Sequence, residues 1–257
     1  MNKDVVTFLY HEVSDDPEST GFVRKSSLTY KHKKEEFIKN IEAIKNSRNN
    51  PITINQLNEK SDKHKILLTF DDGGKSAMHI SDVLDNYSLF GHFFITTSKI
   101  GNQTFLSKED IKSIFKRGHI IGTHSHTHPS PFFNLKIEEM VKEWSTSKDI
   151  LEQILGSKIL CASIPGGDMD KKTIKSASEC KIKYLFTSEP TNKTWVENNI
   201  VILGRVCPKA GTKISRIKKF ANNKGFFKEK LIRKIKNFFR FFLRPIYSYY
   251  VKIYHST

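Results

Sequence analysis

A chain of 257 residues with 37% apolar content holds one large domain with a substantial core and at most a short appendage. Its formal charge of +16 is unevenly spread: residues 213–257 carry 13 Lys/Arg against the single acid Glu229, a balance of +12 that leaves only +4 for everything before. Three widely spaced cysteines (Cys161, Cys180, Cys207) with no CxxC pair exclude a disulfide framework and a cysteine zinc site and suit a reducing compartment.

Met1-Asn2-Lys3-Asp4 leads directly into Val5-Val6-Thr7-Phe8-Leu9-Tyr10, too short for a secretory signal core. No run approaches the roughly 18 apolar residues of a membrane span, so the expected location of the domain is cytoplasmic. Along the chain, apolar β-rich runs alternate with helical patterns, the signature of parallel βα units. Strands are expected at Val5–Tyr10, Pro51–Ile54, Lys65–Phe70, Gly91–Thr96, His119–Gly122, Lys158–Ser163, Tyr184–Thr187 and Ile200–Gly204. Helices are expected at Lys33–Asn46, Ser76–Tyr87, Lys108–Arg117, Lys136–Leu155 and Lys171–Glu179, the third opened by the capping box Ser107-Lys108-Glu109-Asp110. Seven or eight such units in this length predict an α/β barrel, in which chemistry sits where strands end.

Two runs carry that chemistry. Thr69-Phe70-Asp71-Asp72-Gly73 puts adjacent carboxylates at the end of an apolar strand, and His124-Ser125-His126-Thr127-His128-Pro129 puts three imidazoles within five residues at another strand exit. Alone, an Asp-Asp-Gly is usually a surface turn. Together the runs supply an Asp/His/His ligand set and one carboxylate to spare, which is the inventory of a divalent-metal hydrolase with its own base.

Thr-Phe-Asp-Asp-Gly, followed by Gly118-His119-x-x-Gly122-x-His124-Ser125-x-x-His128-Pro129, resembles the polysaccharide deacetylase superfamily over roughly residues 5–207. Tyr10-His11 and Ser163-Ile164-Pro165-Gly166-Gly167 are similar to the branch found in surface-polysaccharide loci. The resemblance implies a distorted (β/α)7 barrel that removes acetyl groups, most often N-acetyl, from a sugar. It also implies Asp71 as general base, Asp72, His124 and His128 as ligands of a divalent metal, usually zinc, and Ser125 as support for the second motif. The Pro165-Gly166 loop would supply an oxyanion-binding N–H, and Trp195 an aromatic pocket wall. Two positions depart from the family pattern. Ser163 stands where an Arg usually pairs with the catalytic Asp, and Leu203-Gly204-Arg205 puts Arg where a proton-donating His is usual. We therefore expect Arg205 to pair with Asp71 and His11 or His126 to protonate the leaving group. The rival readings are an amidase acting on another C–N bond and a weakly active barrel that binds glycan or protein partners.

The barrel is expected to span residues 1–212 and a basic extension residues 213–257. Phe227, Leu231, Ile235, Phe238, Phe239 and Phe242 form a stripe at helical spacing among many cations. Pro245 and the aromatic run Ile246–Val251 follow. This composition suits a helix lying on an anionic membrane surface, at the inner face and close to lipid-linked glycan. Nucleic acid is not an expected partner, since no helix-turn-helix or zinc-finger pattern accompanies the charge.

Overall fold

The structure, a computed structural model, describes residues 4–242. Its strands are β1 Val5–Tyr10, β2 Glu12–Val13, β3 Lys31–His32, β4 Asn50–Pro51, β5 Lys65–Phe70, β6 His92–Ile95, β7 Ile120–Thr123, β8 Cys161–Ser163, β9 Tyr184–Phe186, β10 Thr194–Glu197 and β11 Ile200–Leu203. Its α-helices are α1 Lys34–Lys45, α2 Ala77–Asn86, α3 Lys108–Lys116, α4 Ile137–Leu155, α5 Lys171–Glu179, α6 Ile214–Ala221 and α7 Phe226–Phe242.

Seven strands run parallel in the order β1-β5-β6-β7-β8-β9-β11, with β10 antiparallel on β11. The sheet curls until Phe8 bridges Val206 in parallel: the Val206 N–H donates to Thr7 O at 2.9 Å, and the Leu9 N–H donates to Val206 O at 2.8 Å. This is a distorted (β/α) barrel, as the βα alternation predicts. The capping box forms as expected, with the Asp110 N–H on Ser107 Oγ at 3.1 Å and the Ser107 N–H on Asp110 Oδ2 at 2.9 Å.

Two expectations shift. Of the expected strand 51–54 only Pro51 belongs to β4, which pairs with β5 through Asn50 and Pro51; Ile54–Gln56 turns into a 3-10 helix, closed by the Gln56 side chain accepting from the Thr53 N–H. The core also extends beyond residue 212. Ile217, Phe220 and Ala221 of α6, together with Phe226, are buried in the same apolar cluster as Phe37, Ile41 and Ile44 of α1. The segment that leaves the core therefore begins after Phe226. Pro245 and the aromatic run 246–251 lie outside the described residues.

Candidate active site

Strand periodicity assembles the site, since successive side chains on a strand point to opposite faces. On β5, Ile66, Leu68 and Phe70 face the surrounding helices while Leu67 fills the barrel interior with Phe94, Phe186 and Leu203. Continuing the inward register past the strand end reaches Asp71. The same parity carries β1 from Leu9 to His11, β7 from Ile120 to His124, β8 from Cys161 to Ser163, and β11 from Leu203 to Arg205. Gly122 lies on this inward register. A Cβ there would sit 2.5 Å from the Phe94 ring, so its absence lets Phe94 fill the barrel below His124.

Asp72 should point away from Asp71, but its φ of +78° swings it into the same mouth. Its Oδ1 lies 3.4 Å from His124 Nε2 and 3.5 Å from His128 Nε2, and the three ligand atoms fall within 4.8 Å of one another. His124 Nδ1–H donates to the Ser163 carbonyl at 2.8 Å, which fixes the tautomer and leaves the Nε2 lone pair facing Asp72. The His128 N–H donates to Ser125 Oγ at 3.1 Å, and the Ser125 N–H donates to Thr123 Oγ1 at 3.0 Å. Ser125 and His128 also have positive φ, +65° and +59°. Such backbone in non-glycine residues costs of order 1–3 kcal/mol and persists only where its surroundings hold it. Part of that hold comes from Glu143 of α4, which accepts the N–H groups of His126 and Thr127 at 2.8 and 2.7 Å.

Burial pushes the His128 imidazole down to about 3, so it is neutral at pH 7, the form that binds metal. Burial also opposes protonation of His124, but the carboxylates of Asp71 and Asp72 outweigh it and raise its pKa. For Asp72 burial acts upward, and its hydrogen bond with His124 and the nearby imidazoles bring it well below the usual carboxylate range. Two imidazole nitrogens and one carboxylate oxygen, buried and open on one side to a cleft of about 330 Å³, fit a divalent ion with room for water and substrate.

Asp71 is 4% exposed and Arg205 1%. Arg205 Nη1 donates to Asp71 Oδ1 at 2.8 Å and Nη2 to Oδ2 at 2.9 Å, while Ser163 Oγ donates to the same Oδ2 at 2.9 Å. Arg205 Nη2 also donates to Ser163 Oγ at 2.8 Å, and Nε to the Thr187 carbonyl at 3.1 Å. A guanidinium arriving from the end of β11 thus occupies the space that the short side chain of Ser163 leaves on β8. Gly204 makes the approach possible, since a Cβ there would lie 2.3 Å from the Glu189 carbonyl. Burial would raise the pKa of Asp71, but Arg205, then His124, more than offset it and keep the carboxyl ionised.

His11, Pro165 and Gly166 line the same cleft; Trp195 and His126 do not. The His11 ring packs on Tyr30 at 4.9 Å between centroids, and burial holds its pKa below the ordinary value. His126 Nδ1 lies 3.0 Å from Thr97 Oγ1, which ties its ring outside the cleft. Trp195, on antiparallel β10, lines a neighbouring hollow of about 280 Å³ with Glu189 and Arg233.

Several cleft residues gave no sequence signal: Glu12 on β2, Lys31 on β3, Phe22 and Arg24 from the segment between them over the barrel mouth, and Arg233 from α7. Glu12 holds that segment in place. Its Oε2 accepts from Ser76 Oγ at 2.6 Å and Thr20 Oγ1 at 2.5 Å, and burial pushes its pKa up to about 7 from an ordinary 4.5. Between those values the folded protein binds more protons than the unfolded chain, so this group's contribution to stability falls as pH rises. Glu12→Gln should remove that loss, about 2 kcal/mol between pH 5 and 7.5 by urea denaturation. Identical pH dependence in the two proteins would contradict it.

Fold and site together define an α/β barrel with a buried Asp/His/His ligand set beside an ion-paired carboxylate. Residues 58–185 match the family model "Polysaccharide deacetylase". The peptidoglycan-N-acetylmuramic acid deacetylase PdaC of Bacillus subtilis is 28% identical over 176 residues, covering 61% of this chain and 36% of PdaC. The deacetylase PplD of Streptococcus pyogenes, solved in complex with acetate, superposes with a TM-score of 0.72 at 17% identity over 84% of this chain and 97% of PplD. IcaB from Ammonifex degensii gives 0.71 at 20% identity over 86% and 97%. The chain carries a polysaccharide deacetylase domain and belongs to that superfamily. It spans less than half the length of the curated relatives it matches.

Proposed function

We propose that this protein is a metal-dependent carbohydrate deacetylase that hydrolyses acetyl groups, N-acetyl foremost, from a sugar of a glycan or glycan precursor. The observation that carries this reading is the placing of Asp72, His124 and His128 in one cleft with Asp71, a carboxylate oriented by a buried Arg. Two imidazoles and one carboxylate suit zinc. A divalent ion held there would supply Lewis-acid polarisation of the acetyl carbonyl and lower the pKa of water toward about 7.

The chain's own groups perform the rest. Asp71 accepts the proton of the attacking water. A carboxylate offers about four lone-pair sites, of which Arg205 and Ser163 engage three, one on Oδ1 and two on Oδ2, leaving Oδ1 able to take a further hydrogen bond. The Gly166 N–H, at the cleft wall beside Pro165, is assigned to the developing oxyanion. His11, the cleft imidazole outside the ligand set, is assigned to protonate the leaving amine. The basic segment that follows Phe226 would hold the domain peripherally at the inner face of an anionic membrane, where acetylated, lipid-linked carbohydrate is within reach.

The reading is tested by acetate release across a panel of N- and O-acetylated glycans, before and after treatment with a chelator. Release that stops with chelation and returns with zinc supports it; ammonia or amine release without acetate would point to another amidase. Asp72→Asn should weaken zinc binding, measured by calorimetry, by more than the roughly 10–100-fold that losing an outer hydrogen-bond partner costs. His11→Ala should keep full zinc content while turnover falls about 100-fold; near-wild-type turnover would remove His11 from the mechanism.

A further inference from the structure

Helix α7 is amphipathic, but its charged side faces the protein. Among its described side chains Phe226 alone enters the core, against Phe220 with centroids 5.6 Å apart. Glu229 pairs with Arg216, and Arg233 pairs with Glu189 at 2.9 Å and with Asp168. These contacts fix the rotation of the helix and turn its apolar stripe outward. Phe227, Leu231 and Ile235, at i, i+4 and i+8, are 82%, 49% and 50% exposed, with Ile232 beside them at 39%. Lys228 and Lys234 are exposed as well, Lys234 at the rim of the hollow that Trp195 lines. A surface helix of a globular protein ordinarily buries such a stripe.

The inward side of α7 belongs to the catalytic cleft. Arg233 lines it, and Asp168 continues the loop that carries Pro165 and Gly166. On the far side of Arg233 lies the hollow that holds Trp195. One helix therefore forms a wall of the cleft and carries an uncovered apolar stripe flanked by cations. No described helix is long and apolar enough to cross a membrane, so the stripe suits an element that lies on a surface.

We propose that the outward face of α7 docks on an anionic lipid surface, with Phe227, Leu231 and Ile235 entering the interface and the flanking lysines meeting the headgroups. Because its inward face walls the cleft, docking presents the cleft to acetylated glycan carried at that surface. The glycan half of this inference rests on the proposed deacetylase activity; the docking half does not. The net +12 of residues 213–257 supplies the charge complementarity.

The test uses the full chain and vesicles of phosphatidylcholine with or without phosphatidylglycerol. Wild type should co-sediment with the anionic vesicles and far less with the neutral ones. The double variant Phe227→Glu/Leu231→Glu should lose that partitioning by at least about tenfold while keeping the wild-type melting temperature, since neither side chain is buried. Acetate release from a soluble acetylated oligosaccharide should be unchanged in the variant, and release from the same sugar on a lipid anchor in anionic vesicles should fall about tenfold or more. Equal co-sedimentation of variant and wild type would overturn the proposal. So would a wild-type dimer that the variant dissolves, with no binding to either vesicle, because a second copy would then cover the stripe. Vesicle binding as predicted with no acetate released from any substrate would defeat the deacetylase reading and leave the docking standing.

Discussion

Arg205→Ala should destabilise the fold by about 3–5 kcal/mol, the cost of breaking a buried ion pair from one side. The guanidinium is 1% exposed and makes two hydrogen bonds to Asp71 and one each to Ser163 Oγ, Thr69 Oγ1 and the Thr187 carbonyl. Its removal leaves a carboxylate 4% exposed with only Ser163 Oγ still donating to it. For a chain of this size the loss corresponds to a melting temperature lower by about 10 °C, read by circular dichroism. Arg205→Lys should fall between, since an ammonium keeps the charge but not the planar fork that meets both carboxylate oxygens. The double variant Arg205→Met/Asp71→Asn should be less destabilised than the sum of its parts, because no uncompensated charge remains. A melting temperature for Arg205→Ala within about 2 °C of wild type would show that the pair contributes little to the fold.

Asp71→Asn should lower turnover by about 100- to 10,000-fold, the range expected when a positioned general base is lost. The amide has nearly the same shape but cannot take the water's proton. It also leaves Arg205 buried beside a neutral partner, so stability falls as well, and rates must be compared per folded protein well below the variant's melting temperature. Zinc content should stay at the wild-type level, because the proposed ligands are Asp72, His124 and His128. Loss of zinc in Asp71→Asn would mean that the two carboxylates do not divide their work as proposed.

The parts of the molecule legible in sequence were those governed by local periodicity. Val5–Tyr10, Lys65–Phe70 and Lys171–Glu179 form over the bounds their patterns predict, because strands buried on both faces and a capped amphipathic helix leave little freedom at their ends. The strands β2, β3 and β10 are two to four residues long, too short to show a period. The convergence of Asp71, Asp72, His124 and His128 was legible because all four lie at or just past strand exits. The placing of Arg205 against Asp71 was legible only as a vacancy on β8 and a spare cation after β11.

What stayed hidden depends on tertiary placement. Trp195 sits on a strand that runs antiparallel at the end of the sheet, so its side chain meets the hollow under α7 rather than the cleft. Glu12 and Lys31 reach the mouth on the two-residue strands β2 and β3, and Arg24 from the segment between them, too short or irregular for any pattern to predict. The stripe of α7 was visible, but its outward rotation is set by Arg233 meeting Asp168 and Glu189, residues 65 and 44 positions away in the chain.

The central claim, a zinc-dependent acetyl hydrolase built on Asp72, His124 and His128, is most directly tested by titrating zinc into chelator-treated protein while following acetate release from an N-acetylated glycan. Release should rise with added zinc and saturate at about one equivalent per chain, matching the one candidate metal cluster among the described residues. Acetate release that persists in the chelated protein, or that saturates far from one equivalent, would contradict the account.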